Sequence, residues 1–78
     1  MPAFVTGVIK TRSKAPIAIL GTSWKDGKPH TWLAGYAHSV EAAARTAGRK
    51  NRLSSAGVSY VWRPIRDGKI TLVDGVPA

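Results

Sequence analysis

The chain has 78 residues and a mass of 8.3 kDa, enough for one small domain and too little for a second core. Without cysteine it has neither a disulfide staple nor a thiolate metal site, and a reducing compartment is the simplest setting. Twelve Lys and Arg against four Asp and Glu give a formal charge of +8, which points to polyanions, while a hydrophobic fraction of 44% excludes a disordered basic tail.

The opening "MPAFVTGVIKTRSK" carries neither a basic leader ahead of a long apolar run nor about 20 apolar residues in succession. Neither a signal peptide nor a membrane span is expected, and the cytoplasm (the host's, for a phage-encoded protein) is the expected location. Residues 4 to 12, "FVTGVIKTR", alternate as a half-buried strand, with Val5, Ile9 and Thr11 on one side and Val8, Lys10 and Arg12 on the other. "SKAP" breaks the run, and "IAILGTSW" follows as a second strand whose inner part is apolar on both faces. Asp26-Gly27 is a strong two-residue hairpin signal, because both central positions of a type I′ turn need positive φ. It predicts that the second and third strands are antiparallel neighbours. The third, "HTWLAGYA", should place His30, Trp32, Ala34 and Tyr36 on one face and Thr31 and Leu33 on the other.

Ser39 is a good N-cap, and Glu41 falls in the first turn, where a carboxylate meets the positive end of the helix dipole. Val40, Ala43, Ala44 and Ala47 then form a stripe of small apolar side chains that lets a helix lie close on a sheet. Arg45, Arg49 and Arg52 share the opposite side; Gly48 weakens the last turns and "SSAG" ends them. "VSYVWRPI" reads as a strand with Val58, Tyr60 and Trp62 on one face, and Pro64 marks an edge or a strand end. Asp67-Gly68 predicts a second hairpin into "KITLV", and "DGVPA" reads as a loose tail. The expected fold class is α+β, a small antiparallel sheet in the order β-β-β-α-β-β under one covering helix. It is expected as a single domain over 1–78, with three strands plus helix in 4–53, a C-terminal hairpin in 57–73 and a tail in 74–78.

Catalytic chemistry has little to build on. His30 and His38 have no neighbouring carboxylate in sequence, Asp26, Asp67 and Asp74 each precede a turn glycine, and Glu41 is accounted for by the helix start. The serines lack a plausible base and no phosphate-binding glycine loop is present. The expectation is a protein that is not an enzyme, with no metal, no cofactor, no small-molecule substrate and no membrane partner.

Basic and aromatic residues carry the functional expectation. Lys10, Arg12 and Lys14 recur at a period of two, Lys25 and Lys28 stand at the tip of the next hairpin, and Trp24 and Trp32 flank it. Cations beside planar rings suit nucleic acid, the cations neutralising phosphates and the rings stacking on bases or packing on sugars. Core packing is the competing explanation for the rings, and protection of a sheet edge for the lysines.

Gly7-Val8, Lys10, Arg12, Ile17, Ala18, Ile19, Asp26-Gly27, Trp32-Leu33, Gly35-Tyr36, Ser39, Glu41, Ala42, Ala43, Ala44 and Ala47 follow a recognisable order. Residues 4 to 50 resemble the ethylene-response-factor (Apetala-type) DNA-binding domain, similar in shape to integrase arm-type domains, with Ala34 as one extra residue inside its "WLG" motif. The resemblance implies a three-stranded sheet laid in the major groove with the helix behind it. Lys10, Arg12, Lys14 and Trp32 would then occupy reading positions, with Lys25 and Lys28 near phosphates. The layout also resembles small phage-encoded inhibitors, of the anti-CRISPR or RNA polymerase inhibitor type. Such a protein would bring Arg45, Arg49, Lys50 and Arg52, or the sheet lysines, to a host nucleoprotein complex. The expected function is nonenzymatic binding of nucleic acid, duplex DNA favoured, through phosphate contacts from a basic sheet face and with weak sequence preference. The site residues are Lys10, Arg12, Lys14, Trp24, Lys25, Lys28, Trp32, Arg45, Arg49 and Arg52.

Overall fold

The computed structural model describes residues 6–12 and 14–78; Phe4 and Val5 of the expected first strand, and Ser13 of the break after it, lie outside the described residues. Its elements are β1 (Thr6–Lys10), β2 (Ile17–Lys25), β3 (Lys28–Ala37), α1 (Val40–Leu53), β4 (Val58–Pro64), β5 (Lys69–Val73) and β6 (Val76–Pro77). The α+β class holds, but the strands form two antiparallel sheets, ordered β3-β2-β4 and β1-β5-β6, in place of one.

The central strand explains the layering. Residues Ile17 to Thr22 of β2 are buried without a break, as a strand that is apolar on both faces requires. On one face Ile17 and Ile19 join Ala37 of β3 and Ala43 of the helix, with Ala34, Ala42 and Trp62 packed around them. On the other, Ala18 and Leu20 meet Ile70, with Ile9, Leu33, Val61 and Ile65 packed against them. Ile19 and Leu20, adjacent in sequence and fully buried, therefore anchor two different cores.

Three Asp-Gly pairs make the reversals. Asp26, Asp67 and Asp74 all have φ of 54°, and the following glycines have φ between 70° and 81°. The third of these overturns the loose tail: Asp74-Gly75 turns the chain into β6, with Val73 opposite Val76. The second makes a tight turn, with Arg66 and Lys69 exchanging backbone hydrogen bonds at 3.1 and 3.0 Å. No hairpin extends from it, because β4 joins β2 while β5 joins β1. The change of partner follows from burial: Val61 and Ile70 lie in one core, so the two strands stack face to face across it.

The register of β3 corrects the expected facing of Tyr36. Ile19 pairs with Gly35 and Leu20 with Leu33, so Ala34 is a bulge residue. Beyond it Tyr36 lies opposite Ala18 and turns to the face away from the helix, while His30 and Trp32 remain on the helix face.

The helix forms where its caps predict. Ser39 accepts a hydrogen bond from the Ala42 N–H at 3.1 Å, Glu41 sits in the first turn, and Ala43 and Ala47 are buried against the sheet. Their small size permits the approach. At its other end Asn51 reaches the free edge of β4, donating from Nδ2 to the Tyr60 carbonyl at 2.8 Å and accepting from the Tyr60 N–H at 2.6 Å. A similar tie joins the two sheets. The Thr31 hydroxyl donates to the Gly75 carbonyl at 2.6 Å, which leaves the buried Thr22 hydroxyl to donate to Thr31 Oγ1 at 2.9 Å.

Candidate nucleic-acid interface

Strand β1 does not pair with β2, and this decides where the cations go. It pairs with β5, so the sheet β1-β2-β3 implied by the resemblance is not the pairing present, and the face of β2 opposite the helix is covered by β1 and β5. The strand also ends at Lys10; Arg12 and Lys14 belong to the connection into β2 and do not continue a strand face.

That connection is fastened to the turn around Gly68. The Thr11 N–H and hydroxyl both donate to the Gly68 carbonyl, at 2.8 and 3.0 Å, and the Ile65 N–H donates to the Pro16 carbonyl at 2.8 Å. Segments 10–16 and 65–69 are thereby held side by side, and their cations with them. Lys10 stands directly opposite Lys69 on the outer face of the β1-β5-β6 sheet, both exposed. Arg66 is bridged to Lys69, and Arg63, Arg66, Lys69 and Thr71 line a cleft of about 260 Å³. Arg63 is oriented by donating from Nε to the Ala78 carbonyl and from Nη1 to the Trp62 carbonyl, each at 2.8 Å. Lys10, Arg12, Lys14, Arg63, Arg66 and Lys69 thus share one end of the molecule, where the acidic side chain among the described residues is Asp67, in the turn.

Two directly opposed lysines on a strand pair repel one another, so the arrangement costs stability in the absence of an anion. A phosphate between them reverses the sign of that interaction. Chemically, this surface can hold a polyanion.

The remaining expected site residues lie elsewhere. Lys25 and Lys28 face each other at the hairpin tip, at the far end of a nine-residue strand about 26 Å long at the usual rise. They do not extend the Lys10 surface. Trp24, 54% exposed, pairs with Pro29 on the face away from the helix, while Trp32 is half-buried on the helix face against Tyr60 and His30. Arg45, Arg49 and Arg52 are exposed on the outer side of α1, away from its buried alanines. The expected site residues therefore divide among four surfaces: the Lys10 end, the helix face of the β2-β3 hairpin, its opposite face at Trp24, and the outer side of α1.

Arg63, Arg66 and Lys69 were absent from the sequence-based site. A signal for two of them was present: "KDGK" and "RDGK" place a cation on each side of the turn, and in a two-residue turn those flanking residues are directly opposed. Arg63 had none, since its approach to Lys69 depends on β4 and β5 joining different sheets.

No protein-family model, no curated protein and no solved structure matches the chain. No helix among the described residues is long and apolar enough to cross a membrane.

Proposed function

We propose that the protein is a small nonenzymatic nucleic-acid-binding protein that holds duplex DNA by its phosphates, through the outer face of the β1-β5-β6 sheet. The observation that carries this reading is the opposed pair Lys10 and Lys69, set among Arg12, Lys14, Arg63 and Arg66. The overall charge of +8 attracts a polyanion to the protein, and this cluster gives the phosphates a place to lie. Strand lysines and connection arginines meet a backbone as point charges and forks, so little sequence preference follows.

Fluorescence anisotropy of nuclease-treated protein with a short duplex DNA at several salt concentrations tests the reading. Binding that weakens steeply with salt, and a salt slope that falls by about 1 for each phosphate-contacting cation removed, supports it. A folded Lys10→Ala/Lys69→Ala variant that binds with unchanged affinity and slope overturns it. Absence of any salt-sensitive binding also overturns it and directs the search to a host nucleoprotein target.

A further inference from the structure

A second surface, on the helix side of the sheet and at the other end of β2, has a different chemistry. Its floor is Gly21, buried in the central strand; a Cβ there would stand 2.5 and 2.6 Å from two atoms of the Trp32 ring and 2.8 Å from the Tyr60 ring. Only a bare Cα lets both rings close over the strand. Trp32 from β3 and Tyr60 from β4 lie opposite Gly21 on its two sides and meet edge to face, with centroids 6.0 Å apart. His30, two residues before Trp32, stacks with it at 6.1 Å and 27° and is exposed. The Lys50 ammonium, from the helix, lies 5.6 Å from the Tyr60 centroid. By strand alternation Lys25 and Lys28 fall on this same face, beyond His30, with Asp26 in the turn between them.

The result is a row of three rings bounded by lysines, Lys25 and Lys28 at one end and Lys50 at the other. Core packing accounts for Trp32 and Tyr60 covering Gly21, but not for an exposed imidazole stacked in series with them or for cations at both ends. Planar rings beside a track of positive charge hold unpaired bases by stacking and the linking phosphates by charge, without regard to sequence. We infer that the His30–Trp32–Tyr60 row is a binding platform for single-stranded nucleic acid, one or two unpaired bases stacking on it while Lys25, Lys28 and Lys50 meet the phosphates. The platform is separate from the Lys10–Lys69 surface and does not depend on it.

The test compares a single-stranded oligothymidine of about ten nucleotides with an abasic strand of the same length, read by tryptophan fluorescence and by anisotropy. The phosphates are the same in both, so a charge track alone treats them alike. The expected result is quenching by oligothymidine, an affinity at least about tenfold lower for the abasic strand, and a several-fold loss in His30→Ala. Because Trp32→Leu also removes packing over Gly21, the exposed His30 is the variant that decides. Equal affinity for the two strands, no oligothymidine binding at low salt, or an unchanged His30→Ala variant overturns the platform. Lys10→Ala/Lys69→Ala separates the two surfaces: it should weaken duplex binding and leave oligothymidine quenching as it was. Loss of both together in that variant places single strands on the Lys10–Lys69 surface and overturns the platform.

Discussion

Asn51 holds Tyr60 by both of its backbone polar groups, one carboxamide serving the N–H and the C=O that the outer edge of β4 would otherwise leave open. β4 is the last strand of its sheet, and an open edge is a template for pairing with another chain. Asn51→Ala should lower stability by about 1 kcal/mol, a modest figure because water can replace both partners at this exposed site. Thermal denaturation measures the loss. Amide exchange at Tyr60 should accelerate, and light scattering on warming should rise earlier than in the parent.

The Lys10–Lys69 opposition predicts that function and stability move in opposite directions. Replacing Lys69 by Ala removes a like-charge pair, so the free protein should gain roughly 0.2 to 0.5 kcal/mol at low ionic strength, and the gain should vanish in high salt. Duplex-DNA affinity should fall at the same time. Denaturant unfolding at two salt concentrations, beside anisotropy, checks both halves.

Gly21→Ala should be among the most disruptive single-methyl additions available. The new Cβ would overlap two aromatic rings, which must shift off the strand to admit it, a cost of about 1 to 3 kcal/mol. Chemical denaturation gives the magnitude, and the tryptophan emission should shift as Trp32 is displaced. An unchanged emission and midpoint would contradict the packing described.

Gly48 is the opposite case. It is exposed within α1, and a Cβ added there meets nothing within 4 Å, so Gly48→Ala should stabilise by about 1 kcal/mol through helix propensity alone. A raised midpoint with an unchanged denaturant slope is the expected outcome.

Ala43 has no exposed surface and lies between the helix and Ile17, Ile19 and Ala37. Ala43→Glu should unfold the domain, because the carboxylate would enter a core with no cation to pair it. Loss of the cooperative thermal transition is the readout, and Ala44→Glu, on an exposed position of the same helix, is the control.

What the sequence by itself determined was local. Hydrogen bonds and dihedral preferences between near neighbours suffice for the Ser39 cap and the Asp26-Gly27 hairpin, and the two-sided apolar pattern of β2 was legible, whereas of the expected helix stripe Ala43 and Ala47 are buried but Val40 and Ala44 are exposed. The signal for the third turn, Asp74-Gly75, was equally local, though "DGVPA" read as tail because only two residues follow as strand. Tertiary structure alone decided which strands became neighbours. β1 chose β5 over β2 because covering Ala18 and Leu20 with Ile9 and Ile70 buries a second face of the central strand, a gain that appears only when residues some sixty positions apart meet. Both candidate surfaces depend on that choice. It sets Lys10 against Lys69, and by placing β4 beside β2 it brings Tyr60 to Trp32 across a glycine whose lack of a side chain has meaning only once both rings are there.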